Sequence, residues 1–411
     1  MDDLVGVGDA ERIILDQCRD FGNEKIPLEQ ATGRILAEPI TADRDLPPYN
    51  RATMDGIAIR SQSFQEGIRQ FRVKALQPAG AVPACIEHPD ECIEIMTGAA
   101  VPDTTDTVIP YEEIQIQNGV AHVMSGQVQP GQFIHGRGRD RKQHELLVPP
   151  GRAISPPVIA LAAATGRDRL LVKRRPRILI ASSGDELVEI RESPSPYQVR
   201  RSNPYMLHAA LAFHGLQGDL AHLPDAPQII QQRLEPALRA YDVLLLSGGV
   251  SKGKYDFLPG VLENLGVTRL FHRVRQRPGK PFWFGVMQAG PVVFAFPGNP
   301  VSSFLCLHRY FLPWWAACLG QPGPSLRAVV ENDLVTTGSL RIFQQVKLRT
   351  EESGRLVAVA AEGNGSGDFA NLLDADGFLE LPEGVERIPA GSTLRVWPYQ
   401  AGLFSQTTYN V

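Results

Sequence analysis

The chain has 411 residues, which is too long for one ordinary hydrophobic core and predicts roughly two to four domains. Hydrophobic residues make up 43% and charged residues 21%, as in a soluble globular protein, and no apolar stretch is long enough to predict a membrane-spanning helix. The formal net charge of -4 argues against nucleic-acid binding through bulk positive charge. The five cysteines are an odd number without a C-x-x-C pair, so we expect reduced thiols in a cytoplasmic protein.

The first 172 residues predict two domains, one inserted into the other. Apolar residues recur at helical spacing over 5–21 and 28–36, and again over 156–165. Between them, short alternating segments separated by turn residues predict a small β domain. We therefore predict a helical linker domain, formed by residues 1–45 together with 141–172, that is interrupted by an inserted β domain at 46–140.

The remaining residues predict an α/β domain followed by a β domain. Apolar strands are predicted at 178–181, 243–246 and 292–296, with helical patterns at 204–213, 227–238 and 257–265. This alternation predicts a central parallel, doubly wound α/β domain at 173–321. Strand-like segments separated by turns then predict a C-terminal β-barrel domain at 322–411. The predicted fold class is therefore multidomain α/β plus β.

Two asparagine–proline pairs predict helix starts in the α/β domain. In Asn203-Pro204 and Asn299-Pro300, the asparagine is predicted to cap a helix and the proline to occupy its first position.

Each predicted apolar strand leads into a polar, glycine-containing loop. The loop residues are Ser183, Gly184, Asp185 and Glu186 after the first strand, Ser247, Gly248, Gly249, Ser251 and Asp256 after the second, and Pro297, Gly298, Asn299, Pro300 and Ser302 after the third. Ligands bind beyond the carboxyl ends of parallel strands, and glycines let backbone N–H groups approach an anion. Arg277 and Lys280 add cations to the same edge. These features predict a site for a phosphorylated ligand and a divalent metal with oxygen ligands.

Each of these loops, taken alone, is also explained by turn and cap chemistry. Three such loops and the segment Arg277-Pro278-Gly279-Lys280-Pro281, all in one predicted domain, favour a ligand site. Neither a Walker A sequence nor a G-x-G-x-x-G sequence is present, which disfavours an ordinary NTPase or a dinucleotide-binding protein. Outside this domain, the composition of the segments 51–56 and 96–99 favours turns. The cationic segment 136–142 is explained equally well as an anion-binding segment or as a solvated loop.

The motifs, in this order, resemble the molybdopterin molybdenumtransferases (the MoeA family, which includes the gephyrin E domain). The matching motifs include Thr53-Met54-Asp55-Gly56, Thr97-Gly98-Ala99, Ser183-Gly184-Asp185-Glu186-Leu187, Ser247-Gly248-Gly249-Val250-Ser251, Pro278-Gly279-Lys280-Pro281 and Pro297-Gly298-Asn299-Pro300-Val301-Ser302. The resemblance covers essentially the whole chain and implies four domains, with molybdopterin bound by the α/β domain. It implies an enzyme of molybdenum cofactor biosynthesis that inserts molybdate into adenylylated molybdopterin and releases AMP in a Mg²⁺-dependent step.

The resemblance also implies roles for particular residues. Asp256 matches a magnesium ligand with Ser251 nearby, and Glu186 and Asp225 match further functional acids of the cleft. The residues implied for a molybdate-side loop are Arg277, Lys280, Pro297 and Pro300. The family forms a homodimer whose site is shared between subunits, and the positions expected from the β domain of the second copy are Asp55, Thr97 and Asp140.

Three positions depart from the family's usual residues. Ile57 replaces a tyrosine, Lys254 replaces an acid and Arg277 replaces a lysine. Two alternatives to the transferase stay open: a non-catalytic molybdopterin-binding scaffold of the same fold, and a molybdopterin adenylyltransferase that consumes ATP. The implied macromolecular partners are the molybdopterin adenylyltransferase and acceptor molybdoenzymes, and neither nucleic acid nor a membrane is expected.

Overall fold

The computed structural model describes residues 4–251, 256–323, 326–336, 338–361, 363 and 365–399. The chain divides into two compact units. We call residues 24–172 the N-terminal unit and residues 1–23 together with 173–411 the C-terminal unit. Helix α1, Val7–Leu15, belongs to the C-terminal unit.

The N-terminal unit is mainly β structure. Its strands are β1 (Asn23–Pro27), β2 (Ile40–Thr41), β3 (Arg51–Ala52), β4 (Gly56–Ile59), β5 (Gln70–Gln77), β6 (Glu91–Ile95), β7 (Thr107–Pro110), β8 (Ile114–Gln117), β9 (Val120–Val123), β10 (Ile134–His135), β11 (Leu146–Val148) and β12 (Arg169–Lys173). Its helices are α2 (Ser61–Gln65) and α3 (Pro156–Ala164), with 3-10 turns at Leu28–Gln30 and Tyr111–Glu113.

A six-stranded sheet in the order β7-β4-β6-β5-β9-β8 forms the larger part of this unit. Strand β4 is buried on both faces: Ile57 and Ile59 enter one core cluster, whereas Ala58 enters another. This alternation follows from the two-residue period of a strand. Gly56 lies where β4 meets β7, and a Cβ atom there would be 1.9 Å from the carbonyl oxygen of Ile109. Only glycine fits this position.

A separate core of the N-terminal unit combines residues from before and after the six-stranded sheet. Leu36 and Ile40 precede the sheet, Val158 and Leu170 follow it, and all four are buried in one cluster. Strand β2 pairs with β11 in the same region. The residues of the six-stranded sheet are therefore inserted, in the sequence, between the two halves of a second packed region.

The α/β part of the C-terminal unit alternates strands and helices. Its strands are β13 (Ile178–Ser183), β14 (Leu187–Val188), β15 (Val199–Arg200), β16 (Gly218–Leu223), β17 (Val243–Ser247), β18 (Thr268–His272), β19 (Gln276–Arg277), β20 (Trp283–Val286) and β21 (Val292–Phe296). Its helices are α4 (Asn203–Phe213), α5 (Pro227–Ala240), α6 (Leu258–Asn264), α7 (Pro300–Cys306) and α8 (Leu312–Cys318), and a π-helical turn, Leu307–Phe311, joins the last two.

The central sheet has the strand order β16-β13-β17-β21-β20-β18. The first four strands are parallel, and β20 and β18 continue the sheet in antiparallel fashion. Along β17, Val243 and Leu245 face one core cluster and Leu244 and Leu246 face the other. A strand buried on both faces reads as a continuous apolar run. The predicted doubly wound α/β domain is confirmed, with an antiparallel edge that was not predicted.

The C-terminal β structure closes into a barrel. Its strands are β22 (Arg327–Val330), β23 (Leu334–Val335), β24 (Arg341–Thr350), β25 (Leu356–Ala360), β26 (Gly377–Leu381), β27 (Arg387–Ile388) and β28 (Thr393–Pro398), with a 3-10 segment at Phe369–Asp374. Five strands pair in the order β24-β25-β22-β28-β26, and β26 pairs back to β24. The predicted C-terminal barrel is confirmed. Within the described residues, no helix combines the length and apolar character needed to cross a bilayer.

Candidate functional site

Four loops begin side by side at the carboxyl edge of the parallel strands. In the strand register, Ser183 at the end of β13 pairs with Leu223 at the end of β16. Ser247, the last residue of β17, pairs with Ser182 on one side and Phe296 on the other. The segments that follow these strands therefore lie next to one another, where α/β sheets bind ligands.

Close packing between the loops explains Gly248, whereas a Cβ on Gly298 would make only an ordinary van der Waals contact. Gly248 has a φ of +90°, and an added Cβ would be 2.6 Å from the backbone oxygen of Ser183. An added Cβ on Gly298 would lie 3.6 Å from the Cα of Gly248. The N–H of Gly248 donates to the carbonyl oxygen of Phe296 at 3.1 Å. This N–H is consequently engaged within the protein and is not available to an anion.

Two acids of the edge hold neighbouring loops together. Asp225 accepts a hydrogen bond from the Ser183 hydroxyl at 2.8 Å through Oδ1. Its backbone N–H donates to Oδ1 of Asp185 at 3.0 Å, and the N–H of Asp185 lies 3.4 Å from Oδ2 of Asp225. Glu186 is exposed, and its carboxylate makes no hydrogen bond or ion pair with the described residues. Asp185 and Asp225 thus shape the edge, whereas Glu186 is available to a ligand.

The loop after β21 is tied to its neighbours by a hydroxyl network. The hydroxyl of Ser247 lies 3.3 Å from the carbonyl oxygen of Pro297 and 3.3 Å from the Ser303 hydroxyl. Ser303 also donates to the Pro297 carbonyl. Asn203 joins this network through its side-chain amide. Ser302 and Pro297 are buried, so these residues form the base of the loop.

The two predicted asparagine caps make different contacts from those expected. Asn203 lies within α4 as its first residue, and its amide reaches across to Ser247. Asn299 does precede α7, but its side chain makes no capping bond and donates instead to the hydroxyl of Ser366 at 2.8 Å. The backbone N–H of Val301 donates to the Ser366 carbonyl at 3.2 Å. The start of α7 is therefore covered by a loop of the barrel.

The two cations of the edge have no partner in the described part of the chain. Arg277 and Lys280 are exposed, and neither side chain forms a hydrogen bond or an ion pair there. Arg277 also lines a cavity of about 620 Å³. Val301, Gln344 and Ser366 also line that cavity. Exposed charges beside a cavity are suited to an anionic ligand.

The loop after β17 is described only at its two ends. His272 Nε2 lies 2.7 Å from the carbonyl oxygen of Val250 and anchors the first end. Ser251 is exposed and Asp256 is half-buried. Two lysines of this loop, Lys252 and Lys254, lie outside the described residues.

Two of the three predicted site residues of the N-terminal unit are in direct contact. The N–H of Thr97 donates to Oδ1 of Asp55 at 2.6 Å. Hydrogen bonds from the backbone and hydroxyl of Thr97 hold the pKa of the Asp55 carboxyl below its ordinary value. Asp140 instead contacts His135 Nε2, at 2.8 Å through Oδ1. Ile57, which departs from the family pattern, is fully buried in β4.

Several residues of this edge were not predicted from the sequence. Ser303 and Ser366 contact the loop after β21, and Gln276 contacts the backbone of the loop that carries Arg277. Ser303 directly follows a predicted site residue, which was a usable signal. Ser366 matches no local motif, because its partner Asn299 is distant in the sequence. Gln276 contacts Pro278 two residues further on, but no sequence motif marks that contact.

Comparisons with known proteins agree with this architecture. Three family models match: the MoeA N-terminal region (domain I and II) over residues 5–166, a probable molybdopterin binding domain over residues 179–317, and the MoeA C-terminal region (domain IV) over residues 327–399. The second model covers the α/β domain and its four loops. The fold and site therefore define a multidomain protein built around a domain of this molybdopterin-binding class.

Relatives match the chain over nearly its whole length. A molybdopterin molybdenumtransferase from Synechocystis is 37% identical over 94% of this chain and 98% of its own length, and one from Bacillus subtilis is 30% identical over 95% and 93%. The crystal structure of a molybdopterin biosynthesis MoeA protein from Pyrococcus horikoshii has a TM-score of 0.83 at 29% identity, covering 97% of this chain and 99% of that one. The chain belongs to the MoeA family.

Proposed function

We propose that this protein is a molybdopterin molybdenumtransferase of molybdenum cofactor biosynthesis. It inserts molybdate into adenylylated molybdopterin and releases AMP. The observation that carries this proposal is the pair of exposed cations, Arg277 and Lys280, on the loop edge of the α/β domain. The near full-length similarity to relatives named for this activity supports the same conclusion.

The chemistry of the reaction requires positive charge at this edge. Molybdate is a dianion, and cleavage of the phosphoanhydride of adenylylated molybdopterin develops charge on the phosphate oxygens. Arg277 and Lys280 would bind these anionic oxygens directly. The closely packed loops around Gly248 and Pro297 would give the substrate a rigid wall, because their backbone and hydroxyl groups are already hydrogen-bonded to one another.

The acids of the edge suit Mg²⁺. The described residues contain no group of three or more His, Cys, Asp or Glu side chains that could hold a metal by themselves. Mg²⁺ is, however, commonly bound by one or two carboxylates together with substrate phosphates. We propose that Asp256 would hold it, with Glu186, whose carboxylate makes no hydrogen bond or ion pair with the described residues, as the second carboxylate. The bound ion would neutralise charge on the pyrophosphate oxygens.

The proposal includes a homodimer with a shared site. Asp55, Thr97 and Asp140 of the second copy would complete the cleft. The proposed domains are residues 1–45 with 141–172, 46–140, 173–321 and 322–411. The proposed partners beyond the small-molecule substrate are a molybdopterin adenylyltransferase and acceptor molybdoenzymes.

The activity is tested by incubating the protein with adenylylated molybdopterin, molybdate and Mg²⁺. We expect AMP release that depends on molybdate and on Mg²⁺. Folded protein that releases no AMP and retains unprocessed pterin would support the non-catalytic scaffold. Consumption of ATP in the presence of molybdopterin would support the adenylyltransferase.

A further inference from the structure

One buried side chain supports the loop that carries Arg277 and Lys280. Gln276 is fully buried, and its Nε2 donates to the carbonyl oxygen of Pro278 at 3.1 Å and lies 3.4 Å from that of Gly279. Gly279 has a φ of +89°, and an added Cβ would be 2.6 Å from this Nε2. The loop backbone therefore lies directly on the amide of Gln276.

The other end of the Gln276 amide is held by a tyrosine. The hydroxyl of Tyr310 donates to Oε1 of Gln276. Tyr310 is 2% exposed, and burial raises its pKa well above the ordinary value, so its hydroxyl stays protonated and remains a donor. Because a hydroxyl donor meets Oε1, the NH₂ end of the amide is directed to the loop carbonyls.

Tyr310 lies in the π-helical turn Leu307–Phe311 between α7 and α8. Such turns are rare and are frequent at functional sites. The ring of Tyr310 packs against Phe282, with the ring centres 5.1 Å apart. Phe282 itself belongs to the main core of the C-terminal unit. The hydroxyl is thus fixed by the core rather than by the loop that it supports.

We propose that Gln276 and Tyr310 are positioning residues that hold Arg277 and Lys280 in place for the oxyanion. This inference rests on the proposed function and names residues that act through the loop without touching substrate. The two cations are exposed, and their side chains form no hydrogen bond or ion pair in the described part of the chain, so the loop backbone sets where they lie. The Gln276 amide contacts the carbonyl oxygens of Pro278 and Gly279, the two residues between the cations, and this restraint reduces the freedom that the cations lose when an anion binds.

The test measures molybdate binding to the full-length protein by isothermal titration calorimetry. Gln276→Met keeps the length of the side chain and removes both polar ends, and Tyr310→Phe removes only the hydroxyl. Loss of this restraint on the loop leaves more freedom to be lost on binding and predicts a Kd for molybdate about tenfold higher in either variant. In turnover assays we expect KM for molybdate to rise in parallel, while kcat at saturating molybdate changes by less than about threefold.

A double variant distinguishes positioning through one network from general damage. Because Tyr310 acts through Gln276, Tyr310→Phe should add little to the Kd of Gln276→Met, whereas independent effects would multiply. Tyr241→Phe is the matched control. It removes a hydroxyl that donates to Asp219 at 2.7 Å, and Tyr241 precedes β17, at the opposite edge of the sheet. Its Kd should equal that of wild type.

The outcomes separate this inference from the proposed function. If wild-type protein binds molybdate and both single variants bind it equally well, the positioning inference is overturned while the proposed function stands. Multiplicative effects in the double variant would also overturn the inference. Wild-type protein that neither binds molybdate nor releases AMP would overturn the proposed function and the inference together.

Discussion

The side-chain amide of Asn203 donates a hydrogen bond to the hydroxyl of Ser247 at 2.9 Å, which links the start of α4 to the end of β17. The same amide donates to the carbonyl oxygen of Gly298 at 2.6 Å. One side chain therefore joins three segments that are more than forty residues apart in sequence. Asn203 therefore sets the separation between the loop after β17 and the loop after β21, although it belongs to neither loop.

Replacement of Asn203 by alanine tests this link. We expect Asn203→Ala to lower the free energy of unfolding by about 1–2 kcal/mol, because Ser247 and Gly298 both lose a donor. Molybdate-dependent AMP release should fall by about tenfold or more, since the two loops are no longer held at a fixed separation. Urea denaturation and the AMP assay measure the two effects. Asn332→Ala, at an exposed position of the C-terminal β structure, is the control and should leave both unchanged.

Gly248 provides a test of close packing between the loops. Gly248→Ala should lower the free energy of unfolding by more than about 2 kcal/mol, because the new Cβ would be 2.6 Å from a backbone oxygen that cannot easily move. Gly320→Ala is a matched control: Gly320 also has a positive φ, of +67°, but an added Cβ there meets nothing within 4 Å. The control should lose only about 1 kcal/mol. Equal losses in the two variants would show that packing between the loops is unimportant.

The strands around the site were predictable, whereas the contacts between their loops were not. The run Val243-Leu244-Leu245-Leu246 predicted a strand buried on both faces, because burial on two sides leaves no polar position. The antiparallel strands β18 and β20 had no equally distinct pattern. Asn203 and Asn299 have the sequence of helix caps, but tertiary contacts use their amides elsewhere. Gln276 stands between two arginines in sequence, where nothing indicates that it is buried.

Buried His308 predicts a pH dependence of stability. Burial lowers the pKa of this imidazole to about 3, and His214, with its ring centre 6.2 Å away, contributes further lowering. In the unfolded chain a histidine titrates near pH 6.5. Below that pH the unfolded state binds a proton that the folded state does not, so stability falls as the pH decreases towards 3.

The contribution of His308 is isolated by comparison with His308→Phe. The free energy of unfolding is measured by urea denaturation between pH 7 and pH 4. Below pH 6 it should fall more steeply with decreasing pH in wild type than in His308→Phe, by about 1 kcal/mol per pH unit. His88→Gln changes an exposed histidine and should keep the wild-type slope. Parallel curves for wild type and His308→Phe would contradict a folded-state pKa this low.

The two exposed cations give the most direct test of the site. Arg277 and Lys280 have no partner in the described part of the chain, so Arg277→Ala and Lys280→Ala should change the free energy of unfolding by less than about 0.5 kcal/mol. AMP release should fall by at least about tenfold in each, because a charge-assisted contact to an anion is lost. Arg277→Lys should lose less, since it keeps the charge and changes only its geometry.

Arg239→Ala is the control for this pair, because it removes an exposed arginine whose ion pair to Glu235, at 2.7 Å, lies on the surface of α5. Its stability and AMP release should both stay close to wild type, as surface ion pairs contribute little. If the alanine variants at 277 and 280 unfold at lower urea concentration, and their loss of AMP release matches their loss of folded protein, the two residues are structural. If they retain full activity, the oxyanion is bound elsewhere on the protein.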